Sequence, residues 1–345
     1  MIMNNKKGYY PRQAVWEMTL RCNMNCMHCG SRAGKARQDE LTLEECKDIA
    51  KQLIDMGLEQ ITLIGGEIFT LDFWHIIARQ FVDNGVSTNI ITNAYLLGDK
   101  QLEQIEKSGI KMVAVSIDGT EETHNLIRGK KDSFERAIKA LDILKEKGYQ
   151  TSVVTTVMKL NIDQLEELYK IFKDHKVDAW QIQLATPMGN ASDNDLLVEP
   201  ERVKDIIDFI VDKRNESDMV IFPGDDIGYY NEKEEELRGY PGESFIFNGC
   251  GAGLFVVGID SVGNVKGCES LYDDKFIEGN LRKESLEEIW NKEGAFSYNR
   301  DFTPDKLTGK CKNCEMGKYC AGGCRQMCYF TSGEYYNNMY CARNI

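Results

Sequence analysis

The chain is most informative where it is poor. Only 4 of its 345 residues are histidine, the 203 residues from 47 to 249 contain no cysteine, and no apolar run approaches the roughly 18 residues of a membrane span. Met1 to Tyr10 carries two lysines but no apolar core of a secretory signal, which points to the cytoplasm. No stretch of five Lys/Arg occurs and the net charge is -13. That balance argues against sequence-independent binding to nucleic-acid backbones or anionic membranes and leaves small molecules or peptides as partners. A chain this long can bury a sizeable core, so a disulfide-stapled miniprotein is excluded.

What is present is a clustered set of 12 cysteines. Cys22, Cys26 and Cys29 open the chain and Cys46 follows. Cys250, Cys268, Cys311, Cys314, Cys320, Cys324, Cys328 and Cys341 crowd the last hundred residues. In a reducing compartment clustered thiols bind metal more often than they pair.

Between the clusters, short apolar runs alternate with amphipathic stretches. Strands are expected at Ala14–Leu20, Gln60–Ile64, Ser87–Ile91, Met112–Ile117, Thr151–Met158 and Ala179–Leu184, and helices at Leu43–Met56, Phe73–Asn84, Lys100–Ser108, Ser133–Lys147, Ile162–His175 and Glu201–Asn215. Thr42 with Glu45 forms a capping box, Asp132 with Glu135 is a second start signal, and Gly57, Gly85, Gly109 and Gly148 mark stops. Six β/α units imply an α/β fold with a parallel sheet, either open or curled into a barrel short of eight units. Ligand-binding groups then collect at the strand C-termini, where Gly65-Gly66-Glu67, Thr92-Asn93, Asp118-Gly119 and Thr186-Pro187-Met188-Gly189-Asn190 lie. Residues 216–245, with Pro223-Gly224-Asp225-Asp226, the acidic run Glu232–Glu236 and Pro241-Gly242, read as a connection and solvated surface. From 246 the chain shows Leu254–Ile259 and one capped helix, Ser285 with Glu288, and little regular core of its own.

Cys22-x3-Cys26-x2-Cys29 follows the first strand. Three thiolates can hold three irons of a four-iron cluster and leave one iron open, whereas a structural zinc site takes four ligands in a different spacing. With these motifs the chain resembles radical S-adenosylmethionine (SAM) enzymes. The resemblance implies a partial (β/α)6 TIM barrel over residues 1–215, a [4Fe–4S] cluster on Cys22, Cys26 and Cys29, and SAM on its open iron. Reductive cleavage would give a 5′-deoxyadenosyl radical that abstracts a hydrogen atom. His28 matches the aromatic position beside adenine. Gly65, Gly66 and Glu67 match the motif at the methionine ammonium, with Ile68 where proline is usual. Thr92 and Asn93 match a Thr-Asn-Gly motif that here has Ala94. Ser116 and Asp118 match ribose-binding positions. Arg128 matches the arginine at the methionine carboxylate, or is otherwise a solvated surface residue.

Cys250, Gly263 ahead of Cys268, Cys311-x2-Cys314-x5-Cys320-x3-Cys324 and Cys341 resemble the SPASM extension, a small, irregular cysteine-rich domain over residues 246–345 after a 216–245 linker. The resemblance implies two auxiliary [4Fe–4S] clusters, three in all. Cys311, Cys314, Cys320 and Cys341 would hold one. Cys250, Cys268 and Cys324 would hold the other, closed by Cys328 or left with an open iron. A zinc-ribbon reading of Cys311–Cys324 is the alternative. Cys46 reads as a buried thiol within a helix, or else as a hydrogen-atom donor. Glu269, beside a cluster ligand, is a candidate catalytic acid/base or a surface carboxylate.

The expected function is radical modification of a peptide by crosslinking, epimerisation or oxidation. A flavodoxin- or ferredoxin-type electron donor and a separate leader-binding protein are the expected partners. The alternatives are a SPASM dehydrogenase oxidising a small alcohol or sugar, and a non-catalytic zinc or iron–sulfur scaffold.

Overall fold

A computed structural model describes residues 8–224, 226–239 and 247–345; Met1–Lys7 and, of the expected connection, Asp225, Pro241 and Gly242 lie outside the described residues. Ten strands occur among them: β1 (Gln13–Glu17), β2 (Gln60–Ile64), β3 (Ser87–Thr92), β4 (Met112–Ser116), β5 (Gln150–Val157), β6 (Ala179–Leu184), β7 (Val220–Pro223), β8 (Val256–Ile259), β9 (Asn264–Lys266) and β10 (Gly279–Asn280). The helices are α1 (Leu43–Asp55), α2 (Trp74–Asp83), α3 (Asp99–Ser108), α4 (Glu121–Arg128), α5 (Ser133–Glu146), α6 (Leu165–Asp174), α7 (Val203–Glu216), α8 (Glu234–Arg238), α9 (Leu286–Asn291), α10 (Ser297–Arg300), α11 (Gly317–Cys320) and α12 (Arg325–Ser332).

The chain forms two compact units that cut across the blocks read from sequence. The first comprises residues up to Asn25, Ser31–Ala114 and Gly251–Asp301. The second comprises Cys26–Gly30, Val115–Cys250 and Phe302–Ile345. The boundary falls inside β4.

In the first unit the strand order is β10-β9-β8-β1-β2-β3-β4. β8, β1, β2 and β3 run parallel, while β9 and β10 are antiparallel additions. β1 is therefore an inner strand, with Trp16 opposite Leu63 on one side and Ile259 on the other. Trp16, Leu63 and Ile259 are fully buried, together with Ile49, Leu53, Trp74, Ile77 and Phe81 from α1 and α2. The ladder stops at Glu17, short of Leu20, because the chain turns away: Gly66 N–H bonds Thr19 O at 2.6 Å and Glu67 N–H bonds Arg21 O at 2.8 Å.

In the second unit the strand order is β4-β5-β6-β7, with β5, β6 and β7 parallel. Trp180 of β6 meets the rings of Phe172 and Phe209 edge-on at 4.9 and 5.6 Å, and its indole N–H donates to Thr155 Oγ1 at 2.9 Å. The buried polar tip is thus satisfied, as a close-packed interior requires.

Local signals explain the helix ends. Thr42 and Glu45 form the full capping box at α1, Ser285 and Glu288 the same at α9, and Gly57, Gly85, Gly109 and Gly148 have φ between 73° and 85°. At α5 the expected start signal forms no side-chain cap: Asp132 precedes the helix, but its carboxylate accepts from Arg136 Nε at 2.7 Å instead. Three elements depart from expectation. α4 is short and polar (EETHNLIR), and its apolar spacing is too sparse to announce a helix. β7 is four residues ending in proline, within the stretch read as a connection. α8 lies in the acidic run, and Glu234 there is buried rather than solvated, paired with Arg238 at 3.0 Å and accepting Tyr229 N–H at 3.0 Å.

Glu45 also receives Arg282 at 2.6 and 3.0 Å. Arg282 first, then the Thr42 backbone, hold its carboxyl down at about 2. A lowered folded value contributes stability that is complete above the unfolded value near 4.5 and is lost as pH falls toward 2. Glu45→Gln is therefore expected to cost about 1 kcal/mol near neutrality and to flatten the acid limb of a pH–stability curve in that window. An unchanged acid limb would show that the pair contributes nothing.

Candidate functional site

In the first unit the loops after β1, β2 and β3 are tied through Glu67, which is 1% exposed. Its Oε1 accepts from Thr92 Oγ1 at 2.6 Å and Phe69 N at 3.1 Å, and its Oε2 accepts from Asn93 N at 2.7 Å. Ile68, where proline was usual, starts a 3₁₀ turn and is fully buried, so the apolar position is kept. A Cβ on Gly66 would stand 2.5 Å from Arg21 O and 2.6 Å from Leu20 O, so only glycine permits this approach. Ala94 lies in the left-handed region at φ 57°, the conformation that the usual glycine adopts freely, and its N–H bonds Thr92 Oγ1 at 2.9 Å. Asn93 Nδ2 donates to Asn23 Oδ1 at 2.9 Å and reaches Cys22 Sγ at 4.0 Å.

The second unit holds a buried charge network beside Cys26. Asp118, fully buried at the end of β4, pairs with Arg128 Nη2 at 2.5 Å and accepts Thr156 N–H at 2.9 Å. Its own backbone is held by His124 Nδ1 at 3.1 Å and by Asn161 Nδ2 at 2.7 Å. Burial pushes the Asp118 carboxyl up, but Arg128, His28 and His124 outweigh it and keep it below its ordinary value. Arg128 is 8% exposed, which excludes the solvated-surface reading, and its Nη1 reaches Cys26 Sγ at 3.8 Å. His28 Nε2 lies 3.5 Å from Asp118 Oδ2, and burial drives its imidazole down to about 4, so it is neutral near pH 7. Ser116, half-buried, is the last residue of β4.

The turn after β6 clamps the cysteine loop by its backbone. Asn190 N and Nδ2 donate to Cys29 O and Cys26 O, both at 2.9 Å, and Asn194 Nδ2 donates to Met27 O at 3.1 Å. Gly189, at φ 55°, admits this contact because a Cβ would stand 2.3 Å from Cys29 O and Gly30 O. This function was invisible in sequence, since the acceptors are carbonyls and carry no side-chain signature. Asn190→Ala removes a hydrogen bond worth about 1 kcal/mol and frees the loop. The variant is expected to lose iron faster than wild type on anaerobic gel filtration; equal retention would reduce Asn190 to a bystander.

Cys311, Cys314, Cys320 and Cys341 line one small, solvent-open pocket in the second unit, with Tyr229, Tyr230, Met316 and Arg343 around them. No three His, Cys, Asp or Glu side chains among the described residues converge to chelate a single ion. Cys328 is fully buried and donates to Gly322 O at 3.0 Å; burial raises its thiol, with Cys311, Cys250 and Cys320 adding to the rise. Cys250 and Cys324 are half-buried in the second unit and Cys268 half-buried in the first.

Cys46 sits on the buried face of α1 with Ile49, Ala50 and Leu53, and burial pushes its thiol up to about 12. Glu269 is 3% exposed, not a surface carboxylate. Lys266 Nζ holds its Oε1 at 3.0 Å, whereas Oε2 is buried with no hydrogen-bond partner among the described residues. Burial lifts the carboxyl to about 8 against the pull of Lys266. Lys266 lies 4.5 Å over the ring of Tyr272, whose hydroxyl meets Glu17 and, at 3.1 Å, Arg37. Gly258 of β8 packs directly beneath the Cys268–Glu269 peptide, where a Cβ would come within 2.3 Å of Glu269 N.

Residues 16–172 match the model of the radical SAM superfamily, and residues 250–315 that of the SPASM iron–sulfur cluster-binding domain. The AdoMet-dependent heme synthase of Methanosarcina barkeri is 30% identical over 335 residues, 94% of each chain. The chain is a radical SAM enzyme with a SPASM domain. The mycofactocin maturase MftC of Mycolicibacterium smegmatis is 29% identical, covering 92% of this chain and 79% of that protein. Streptococcus suis SuiB, in a structure bound to S-adenosylmethionine, superposes with a TM-score of 0.77 at 19% identity, covering 97% of this radical SAM chain and 78% of its own; a SuiB structure bound to precursor peptide SuiA gives 0.74. That likeness shows the fold, a partial α/β barrel.

Membership implies a [4Fe–4S] cluster and SAM, and the residues fit. The donor set is thiolate-rich, Arg128 Nε is buried without a hydrogen-bond partner among the described residues, and the Gly66 cradle excludes any side chain. Among the described residues no helix is long and apolar enough to cross a membrane.

Proposed function

We propose that this radical SAM enzyme modifies a peptide, with SAM and three clusters as cofactors. The observation that carries the reading is Glu269, a buried carboxylate with one unpartnered oxygen beside Cys268. When bound, the first cluster and SAM would supply radical hydrogen-abstraction chemistry, given one electron from an external reductant. Cys22, Cys26 and Cys29 hold that cluster's iron. Arg128 offers its buried guanidinium to the methionine carboxylate, and Asp118 with Ser116 offers acceptors to the ribose. Gly65, Gly66, Glu67, Thr92 and Asn93 shape the methionine end, and neutral His28 stands by the adenine. Cys311, Cys314, Cys320 and Cys341 hold one auxiliary cluster, and Cys250, Cys268 and Cys324 hold the other with Cys328 closing it. Glu269 Oε2 accepts the substrate proton. Cys46, buried and protonated, serves the packing of α1.

The test is anaerobic. Enzyme loaded with iron and sulfide, given SAM, a reductant and a peptide encoded by a neighbouring short reading frame, should form 5′-deoxyadenosine and shift the peptide's mass. Glu269→Gln should cut product formation by about 10²-fold, the scale of a lost general base, with iron content intact; full turnover would remove Glu269 from the chemistry. A second reading is favoured by the heme synthase matched over 94% of both chains: a tetrapyrrole substrate. Product from an iron-porphyrin and none from peptides would decide for it.

A further inference from the structure

The turn that clamps the first cysteine loop is itself held from another side, by a helix that carries cysteines of its own. α12 is capped by Cys324 and contains Cys328, and Gln326 stands between them. Arg325, Met327 and Cys328 are buried, whereas Gln326 is half-buried and faces the turn after β6. Its Nε2 donates to Thr186 Oγ1 at 3.1 Å and reaches Met188 Sδ at 3.6 Å. An amide nitrogen carries two protons, so both contacts are made at once. The Met188 methyl in turn lies against Gly30, the residue after Cys29: a Cβ added to Gly30 would stand 2.4 Å from Met188 Cε. An unbranched thioether suits that place, since it fits against a glycine and still offers sulfur as an acceptor. Two residues further on, Asn190 grips Cys26 O and Cys29 O. Every member of this series belongs to the second unit.

We propose that Gln326 couples the two metal-binding ends of this unit, so that ligation of the cysteines on α12 tightens the Cys26–Gly30 loop. The inference rests on the cluster reading above. Gln326 is a positioning residue that acts through Thr186 and Met188. α12 has eight residues, fewer than a helix needs to hold its own shape in water. Cys324 and Cys328 are four residues apart and share one side of its first turn, so a cluster bound by both fixes that turn. Once the turn is fixed, the Gln326 amide is fixed with it, and the contacts to Thr186 and Met188 no longer have to order the helix as they form. Because a coupling free energy is reciprocal, iron in the first loop must hold iron on α12 by the same factor.

The experiment uses the full chain loaded with iron and sulfide under anaerobic conditions. Occupancy of the first loop is followed, in the presence of an iron chelator, by the change that SAM causes in the electron paramagnetic resonance signal of the reduced cluster. Cys324→Ser is expected to shorten the lifetime of that signal about fivefold, the low end of couplings between linked sites, and Gln326→Leu to do the same. The double variant should also lose about fivefold, because the link is already cut in each single variant, whereas independent roles would multiply to about 25-fold. Met188→Ala should match Gln326→Leu. Amide hydrogen exchange adds a reading that replaces no cysteine: in Gln326→Leu residues 26–30 should exchange faster, with α1 and α2 unchanged. Losses that multiply in the double variant, or a wild-type lifetime and unchanged exchange at 26–30 in Gln326→Leu, overturn the coupling. Failure of the cluster reading itself appears differently, as an iron content that does not fall in Cys324→Ser.

Discussion

Asp118→Ala is expected to destabilise the enzyme by about 3–5 kcal/mol, measured as a shift in the anaerobic denaturation midpoint. The magnitude follows from what the substitution leaves behind rather than from what it removes. Arg128 is buried and its Nη2 rests on Asp118 at 2.5 Å; removing one partner of a buried pair strands an uncompensated charge. Thr156 N–H also loses its acceptor, at a further cost of roughly 1–3 kcal/mol for an unsatisfied buried donor. Arg128→Leu added to Asp118→Ala should recover part of the loss, because an apolar pair of similar volume carries no stranded charge. If the double variant is as unstable as the single one, the electrostatic account fails. Asp118→Asn keeps an acceptor for Thr156 and should fall between wild type and Ala.

Gly66→Ala is expected to reduce SAM cleavage by about 10²-fold with little change in overall folding. The added Cβ would collide with Arg21 O and Leu20 O, both backbone, so no side chain can swing aside. The loop between β2 and Glu67 must shift instead, by something near 1 Å, and a displacement of that size costs about 10²-fold where reacting groups must be aligned. Circular dichroism unchanged with 5′-deoxyadenosine formation nearly abolished would support the steric account. Wild-type cleavage rates would mean that the loop absorbs the methyl group. Ala94 makes the contrast: its Cβ already occupies a left-handed position, so Ala94→Gly relieves local strain.

The sequence was most legible where one residue performs one local task. The two capping boxes and the glycine stops at Gly57, Gly85, Gly109 and Gly148 appear where their chemistry requires them, and β2 and β6 have the expected bounds. Cysteines, the Gly-Gly-Glu loop and Asp118 could be named because they follow strands, whereas Arg128, the last residue of α4, was named from the family resemblance alone. Burial at a distance was harder to read. Arg128 and Glu269 each admitted a surface reading, and only three-dimensional packing shows both inside. Glu234 lies in an acidic run that looks solvated, yet it is buried by its pairing with Arg238 and the Tyr229 N–H. The clamp was hidden for a different reason: the targets of Asn190 are two backbone carbonyls and that of Asn194 a third, and carbonyls are identical at every residue type.

The position of β1 governs how this protein can be made. Its partners are β2, completed by residue 64, and β8, which begins at residue 256. At ribosomal rates of about 5–20 residues per second, roughly 10–40 s separate the two. For that interval the outer edge of a strand carrying Trp16 has no neighbour from its own chain, and an open edge invites foreign strands. Yield of folded enzyme is thus set by a race between elongation and aggregation, and slower-elongating or more crowded hosts lengthen the odds against the native pairing.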